Sequence, residues 1–153
     1  MADGVFNIAK GKVAYYAGLP AASDALIVVL LKSTGLEADN TLNNYDDLAA
    51  VLAAANDEAD FTNYARKSVT ASVTVTVDDT NNWVDADLPD QTWTAAGGAT
   101  NNTLGKLLVC YDGDTGAGTD SAIIPLTYHD FTATTDGSDL TAQIAASGFY
   151  RAS

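Results

Sequence analysis

The stretch Leu104-Gly105-Lys106-Leu107-Leu108-Val109-Cys110-Tyr111, followed after a loop by Ala122-Ile123-Ile124-Pro125-Leu126-Thr127-Tyr128, decides how this chain folds. Each half contains a short apolar run, of a length more typical of strands covered on both faces than of helices. The loop between them, Asp112 to Asp120, is rich in Gly and Asp, which favour turns because they accept positive φ angles or bond to nearby backbone. The stretch therefore predicts a β-hairpin at the centre of a sheet, with a loop that projects into solvent.

Two further segments have the patterns of strands. The run Asp24 to Lys32 is apolar and rich in β-branched residues, which predicts a buried strand beside the central hairpin. Ser68 to Val77 alternates Val or Ala with Ser or Thr, as a half-buried strand does, and Trp83 to Leu88 resumes the alternation after a turn cluster. These two segments are predicted to pair as an antiparallel hairpin. Shorter strands are predicted at Gln91–Ala95 and Leu140–Ala145, and Gly148–Arg151 is predicted to be a tail that carries two aromatic residues.

Helices are predicted at two places. Asp3 can cap a helix whose apolar positions recur at helical spacing as far as Gly18, although a strand from Val5 to Tyr16 stays open because Gly11 weakens either assignment. Asp46 or Asp47 can cap the alanine-rich segment 48–55.

The sum predicts a mainly β fold, an antiparallel β-sandwich of about seven or eight short strands with one or two short helices. We expect a single domain over residues 1–153, with a helix or arm at about 3–18 and the sandwich at about 24–151.

The charge of the chain is strongly acidic. It carries 20 Asp and Glu against 7 Lys and Arg, a net charge of −13, and the acids are scattered through the loops. Such a surface repels phosphate backbones and anionic membranes, so we expect neither nucleic acid nor membrane as a partner. The apolar run Ala25 to Leu31 is too short to cross a bilayer, and Met1 to Gly4 lacks the basic start of a signal peptide. We expect the chain to be made in the cytoplasm.

The residue types that most catalytic and metal sites use are scarce. Cys110 is the single cysteine and lies in an apolar run, which predicts a buried structural thiol. His129 is the single histidine, and no nucleophile motif accompanies it. The loop from Asp112 through Asp114 begins like a calcium loop, but Gly116 and Ile123 stand where carboxylates belong. We therefore expect no enzyme activity, no cofactor and no metal site, with Asp112, Asp114 and Asp120 in a solvated loop.

The order of the strand and turn motifs resembles a widespread group of small structural proteins of tailed bacteriophages. The motifs that carry the resemblance are, in chain order, Ala25 to Leu31, Phe61-Thr62-Asn63-Tyr64-Ala65-Arg66-Lys67, Trp93-Thr94-Ala95, Leu107 to Asp112, Ile123-Ile124-Pro125-Leu126, Asp136-Gly137-Ser138-Asp139 and Gly148-Phe149. The resemblance implies a head protein without catalytic residues, and capsid decoration (cement) is a common role in that group.

The resemblance leads to a functional expectation. We expect a virion structural protein that binds the major capsid protein lattice on the outside of a phage head and stabilises it, with a trimer favoured among homo-oligomers. The alternative is a tail or neck component that recognises the host and binds through aromatic residues such as Trp83. For attachment we expect an exposed apolar patch at the chain ends, formed by Val5, Phe6, Phe149, Tyr150 and Arg151.

Overall fold

The computed structural model describes residues 3–153, so Met1 and Ala2 of the expected domain lie outside the described residues. The strands are β1 (Gly4–Val5), β2 (Ala25–Lys32), β3 (Lys67–Val69), β4 (Thr74–Asp78), β5 (Trp83–Asp87), β6 (Gln91–Trp93), β7 (Thr103–Asp112), β8 (Ile123–Thr134), β9 (Leu140–Ala142) and β10 (Tyr150–Ala152). The α-helices are α1 (Val13–Ala17), α2 (Asp39–Leu42) and α3 (Leu48–Ala53), and 3₁₀ turns span Asn7–Ala9 and Asp120–Ala122.

A five-stranded antiparallel sheet with the order β1-β8-β7-β2-β3 forms the centre of the fold. Strands β7 and β8 are the predicted hairpin, and β2 lies beside β7 with Ile27 opposite Cys110. The predicted central hairpin and its neighbour are therefore confirmed. Both were predictable because each of these strands contains a run of consecutive apolar residues.

Both faces of this sheet are covered. On one face Leu26, Val28 and Val109 pack with residues of two smaller sheets, β10-β5-β4 and β6-β9. On the other face Ile27 and Leu108 pack with residues of α2 and α3. The fold is thus mainly β with a few short helices, as predicted, and its strands number ten across three sheets in the described part of the chain.

The start of the chain differs from the predicted helix at 3–18. Gly4 and Val5 pair with the edge of β8, a 3₁₀ turn follows, and only α1 is α-helical. Gly11, with a φ of 77°, separates the turn from α1. The backbone hydrogen bonds at the β8 edge and the positive φ of a glycine explain why one continuous helix does not form.

The predicted strand Ser68–Val77 is divided between two sheets. β3 joins the central sheet beside β2, the chain turns at Ser72 with a φ of 61°, and β4 joins the three-stranded sheet. The predicted pairing with the following segment is confirmed, because β4 and β5 form an antiparallel hairpin. The predicted cap of α3 is also confirmed, since the carboxylate of Asp47 accepts a hydrogen bond from the amide of Ala50 at 2.8 Å.

Candidate functional site

The aromatic residues at the chain ends do not form the predicted exposed patch. Phe6 is fully buried against Tyr128, with ring centroids 5.4 Å apart, in the cluster beneath the helices. Phe149 is 7% exposed and belongs to the cluster on the opposite face of the central sheet. The predicted exposure of these two residues was wrong, because each chain end adds a strand to a sheet edge and its aromatic ring fills the core.

The other three residues of the predicted patch also lie apart. Val5 is half-buried on β1, at the edge of the central sheet, whereas Tyr150 and Arg151 lie on β10 in the three-stranded sheet. The guanidinium of Arg151 donates two hydrogen bonds of 2.6 Å to Asp85 and lies 3.9 Å from the ring centroid of Trp83. These hydrogen bonds lower the pKa of Asp85. Arg151 thus belongs to the β4–β5 hairpin and not to a terminal patch.

The β4–β5 hairpin exposes a row of valines. Val75 lies opposite Ala86, which is fully buried, so this face of the hairpin points toward the core. Yet Val75 is 38% exposed, and Val77, the next residue on that face, is 64% exposed. The valine row therefore leaves the core and reaches solvent toward the tip of the hairpin, where the sequence pattern predicted burial.

Three of the four large hydrophobic residues that are exposed within 3–153 lie in this region. They are Val75, Val77 and Tyr15, which is 63% exposed on α1, a helix that packs against β4 and β5. The fourth is Ile8. We name Tyr15, Val75, Val77 and the unpaired edge of β4 the hairpin surface. Exposed apolar groups gathered in this way are typical of a contact site for another molecule.

The edge of β4 is unpaired and uncharged along most of its length. β4 is the outer strand of the sheet β10-β5-β4, so one side of its backbone has no strand partner. No charged residue occurs from Ser68 to Val77, although the chain as a whole carries a net charge of −13. An edge strand of this kind, without Lys, Pro or a bulge, is a template for pairing with a further strand.

A depression of about 280 Å³ adjoins the hairpin surface. Its lining includes Val77 and Val84 from the valine face, Ala152 from β10, and Asp79 and Asn82 from the turn. The depression is thus lined by apolar residues of the strands and by polar residues of the turn, a combination that contact surfaces commonly have.

A second cleft, of about 340 Å³, lies between the two ends of the chain. Asp3 and Phe149 both line it, together with His129, Asp130 and Ser147. Both ring nitrogens of His129 already have partners, Asp3 at 3.2 Å and the Thr127 hydroxyl at 2.9 Å. A carboxylate on Nδ1 and a hydroxyl on Nε2 is also the arrangement around a catalytic histidine, but Thr127 is only 1% exposed, so its hydroxyl is not open to a substrate.

Lys106 is a buried cation for which the sequence pattern predicted no role. Its ammonium group lies 2.6 Å from Asp130 and 2.9 Å from Asp39, and 5.0 Å from the ring centroid of Tyr128. Burial opposes the charge, but the two carboxylates outweigh it, so the pKa of Lys106 is raised. The only sequence signal was a lysine inside an apolar run. We assign to it a structural role, joining α2 to the central sheet.

The thiol and the aspartate-rich loop have ordinary structural environments. Cys110 is fully buried, as predicted, and burial raises the pKa of its thiol. In the loop, Asp112 and Asp114 accept hydrogen bonds from the amides two residues ahead, and Asp120 pairs with Arg66. Residues 3–153 contain no group of three or more His, Cys, Asp or Glu placed to hold a metal ion.

The comparisons with known proteins give no relative. No family model, no curated protein and no solved structure matches this chain. Among the described residues, no helix has the length and apolar character needed to cross a membrane.

Proposed function

We propose that this chain is a virion structural protein, a decoration (cement) protein that binds the outer surface of a tailed-phage head and stabilises it. The observation that carries the proposal is the hairpin surface, where exposed apolar side chains and a strand edge charged only at Asp78 occur on an otherwise acidic molecule. A subunit that attaches to an assembled lattice needs a surface that stays exposed while the subunit is free. Val75, Val77 and Tyr15 provide such a surface, in place of the buried chain ends.

The charge of the chain supports the outside of the shell as its location. A net charge of −13 is repelled by packaged DNA and favours lattice positions that are basic or apolar. Attachment then combines apolar contact at the hairpin surface with long-range attraction of the acidic body. The partner in this proposal is the major capsid protein lattice, reached after synthesis in the host cytoplasm.

The environments of the reactive side chains support a binding role over catalysis. Cys110 is buried, Lys106 is paired with two carboxylates, and the hydroxyl that His129 contacts belongs to the buried residue Thr127. A catalytic group instead meets its substrate in a cleft with a free nucleophile, base or metal nearby.

The test is binding to purified heads that lack decoration. Wild-type protein is expected to bind, and Val77→Asp is expected to bind at least about tenfold more weakly, since a charge replaces apolar contact. Val77 is already 64% exposed, so the substitution leaves the fold intact. The control is Ile8→Asp, which places the same charge at an exposed apolar residue outside the hairpin surface.

Electron microscopy of decorated particles then locates the bound protein. Density on the outer face of the shell supports the proposal. Absence of binding to heads, with binding to tails, necks or host cells instead, replaces it with the tail or neck role. Equal binding by Val77→Asp and wild type shows that the lattice is held through another surface.

A further inference from the structure

The edge of β4 has the features of a strand that pairs with a copy of itself. We propose that two copies of this chain associate through their β4 strands, antiparallel and about a two-fold axis at Thr76. The inference rests on the proposed function only in placing many copies of the subunit on a symmetric shell. It goes beyond that function in naming a partner, which is a second copy of this chain, and the register in which the two strands pair.

Strand length and protection single out β4 among the sheet edges of the described chain. β4 has five residues, whereas the other edge strands, β1, β3, β6, β9 and β10, have two or three. Natural proteins usually protect long edges with Lys, Pro or bulges, and β4 has none of these. Its five residues therefore offer one unprotected side of backbone groups to a further strand.

The charge of the chain favours a second copy as the molecule that pairs with β4. Two molecules of net charge −13 repel one another over most of their surfaces, so close approach is least unfavourable where charge is absent. The segment Ser68 to Val77 is ten residues without a charge, and β4 contains four of its eight exposed residues. An uncharged exposed segment and a free strand edge thus coincide at β4.

Charge also fixes the direction and register of the pairing. A parallel, in-register pair would place Asp78 beside Asp78 of the second copy, which like-charge repulsion disfavours. An antiparallel pair centred on Thr76 places Thr74 opposite Asp78 and Val75 opposite Val77. This register uses all five residues of β4, places no acid opposite an acid and pairs the exposed valines with each other.

The pairing has a consequence for attachment. It joins two three-stranded sheets into one of six strands, and the valines of both copies form one continuous apolar strip on the same face. A two-fold contact of this kind is isologous and closes as a dimer, in place of the trimer expected from the sequence. The dimer covers the β4 edge of both copies and brings the apolar residues of two copies to one face.

The test uses oligomeric state and site-directed crosslinking of the full chain. Light scattering after size exclusion is expected to show a concentration-dependent dimer for the wild type and for Ile8→Asp, and a monomer for Val77→Asp. Thr76→Cys is expected to give a covalent dimer with a short bis-maleimide, because the two introduced thiols flank the axis. Thr92→Cys, an exposed threonine in the middle of β6, is the matched control and is expected to stay monomeric.

The outcomes separate this inference from the proposed function. A wild type that is monomeric at its highest soluble concentration, with no crosslinking at Thr76→Cys beyond that at Thr92→Cys, overturns the β4 pairing even if heads are bound. A dimer that crosslinks at Thr76→Cys but binds no heads leaves the pairing in place and removes the decoration role. A dimer that crosslinks equally at both positions means a different contact and also overturns the proposal.

Discussion

Lys106 shows how a single residue can depart from the pattern around it. The residue lies in β7 with apolar neighbours, and its side chain has no exposed area. A buried ammonium group is tolerated only when charges compensate for the lost hydration, and Asp39 and Asp130 do so. The segment 104–111 therefore folds as an apolar strand although one of its residues is charged.

We predict that Lys106→Met lowers the free energy of unfolding by about 2–3 kcal/mol, because it leaves two neighbouring carboxylates without their cation. Lys32→Met is the control and is expected to cost less than about 1 kcal/mol, since the side chain of its partner Asp60 is 65% exposed. Urea unfolding of both variants at neutral pH measures the difference. Equal losses would mean that the buried ion pairs do not stabilise the fold.

The same ion pairs give a pH dependence with a definite sign. Because the folded-state pKa of Lys106 is raised above the ordinary value of 10.5, its contribution is complete below that pH. The contribution is lost as the pH rises through the folded-state pKa. On the alkaline side of neutrality, the stability difference between wild type and Lys106→Met should therefore narrow only as the pH rises through this raised pKa.

Residue types alone predicted some side-chain environments and missed others. Cys110 was predicted to be buried because it lies in the middle of an unbroken apolar run. The burial of Phe6 was missed because it depends on Tyr128, which is distant in the sequence. The ion pairs of Arg66 were missed for the same reason, because its guanidinium pairs with both Glu58 and Asp120. The local sequence pattern indicates which residues of one strand or helix are buried. These contacts depend instead on how the strands and helices pack together.

At the scale of elements, the last strand of the chain fixes the position of the β4–β5 hairpin. β10 pairs with β5, and the preceding Phe149 is buried in the core. Gly148 has a φ of 77°, and a side chain there would overlap the carbonyl oxygen of Ala86. The chain end is thus held by a strand, an aromatic side chain and a glycine that cannot be replaced without strain.

We predict that deleting Gly148 to Ser153 strongly destabilises the protein, because it removes β10 and the buried side chain of Phe149. The loss of Phe149 alone is expected to cost about 3–5 kcal/mol, the usual range for removing a buried aromatic side chain. Arg151→Ala is the control and should cost less than about 1 kcal/mol, because its pair with Asp85 is at the surface. An unchanged urea midpoint for the deletion variant would contradict this account.

Strands and helices with strong local patterns were predictable from the sequence. Which sheet each strand joins was not. The unbroken apolar runs of β2 and β7 indicated central strands, and the cap at Asp47 indicated α3. The alternation of Ser68 to Val77 gave no sign of the turn at Ser72, because a change of sheet leaves the period of two intact. The hairpin surface was missed for the same reason, since alternation alone predicts that the valine face is covered.

For the whole molecule, the excess of acidic groups makes salt a useful variable. Like charges on the surface repel one another in the folded chain, and they also oppose the approach of two chains. Raising the salt concentration from about 10 mM to about 300 mM shortens the screening length severalfold.

We predict that added salt strengthens β4 pairing, whereas it slows attachment to a basic lattice. Sedimentation at several salt concentrations measures the first, and the rate of head binding measures the second. Arg66→Lys is a suitable control because it leaves the net charge unchanged. Association of copies that weakens with salt would show that opposite charges, and not an uncharged edge, hold the copies together.

The loop between β7 and β8 has a use that follows from how it is anchored. Its base is fixed by Arg66 on Asp120 and by two hydrogen bonds from Thr115 to the carbonyl of Ser23. Its tip at Gly118 has no neighbour within 4 Å of where a side chain would start. Foreign peptides inserted after Ala117 would therefore extend outward from a rigid support without disturbing the core. The loop is therefore a suitable site for epitope display, with one inserted peptide for each copy of the chain.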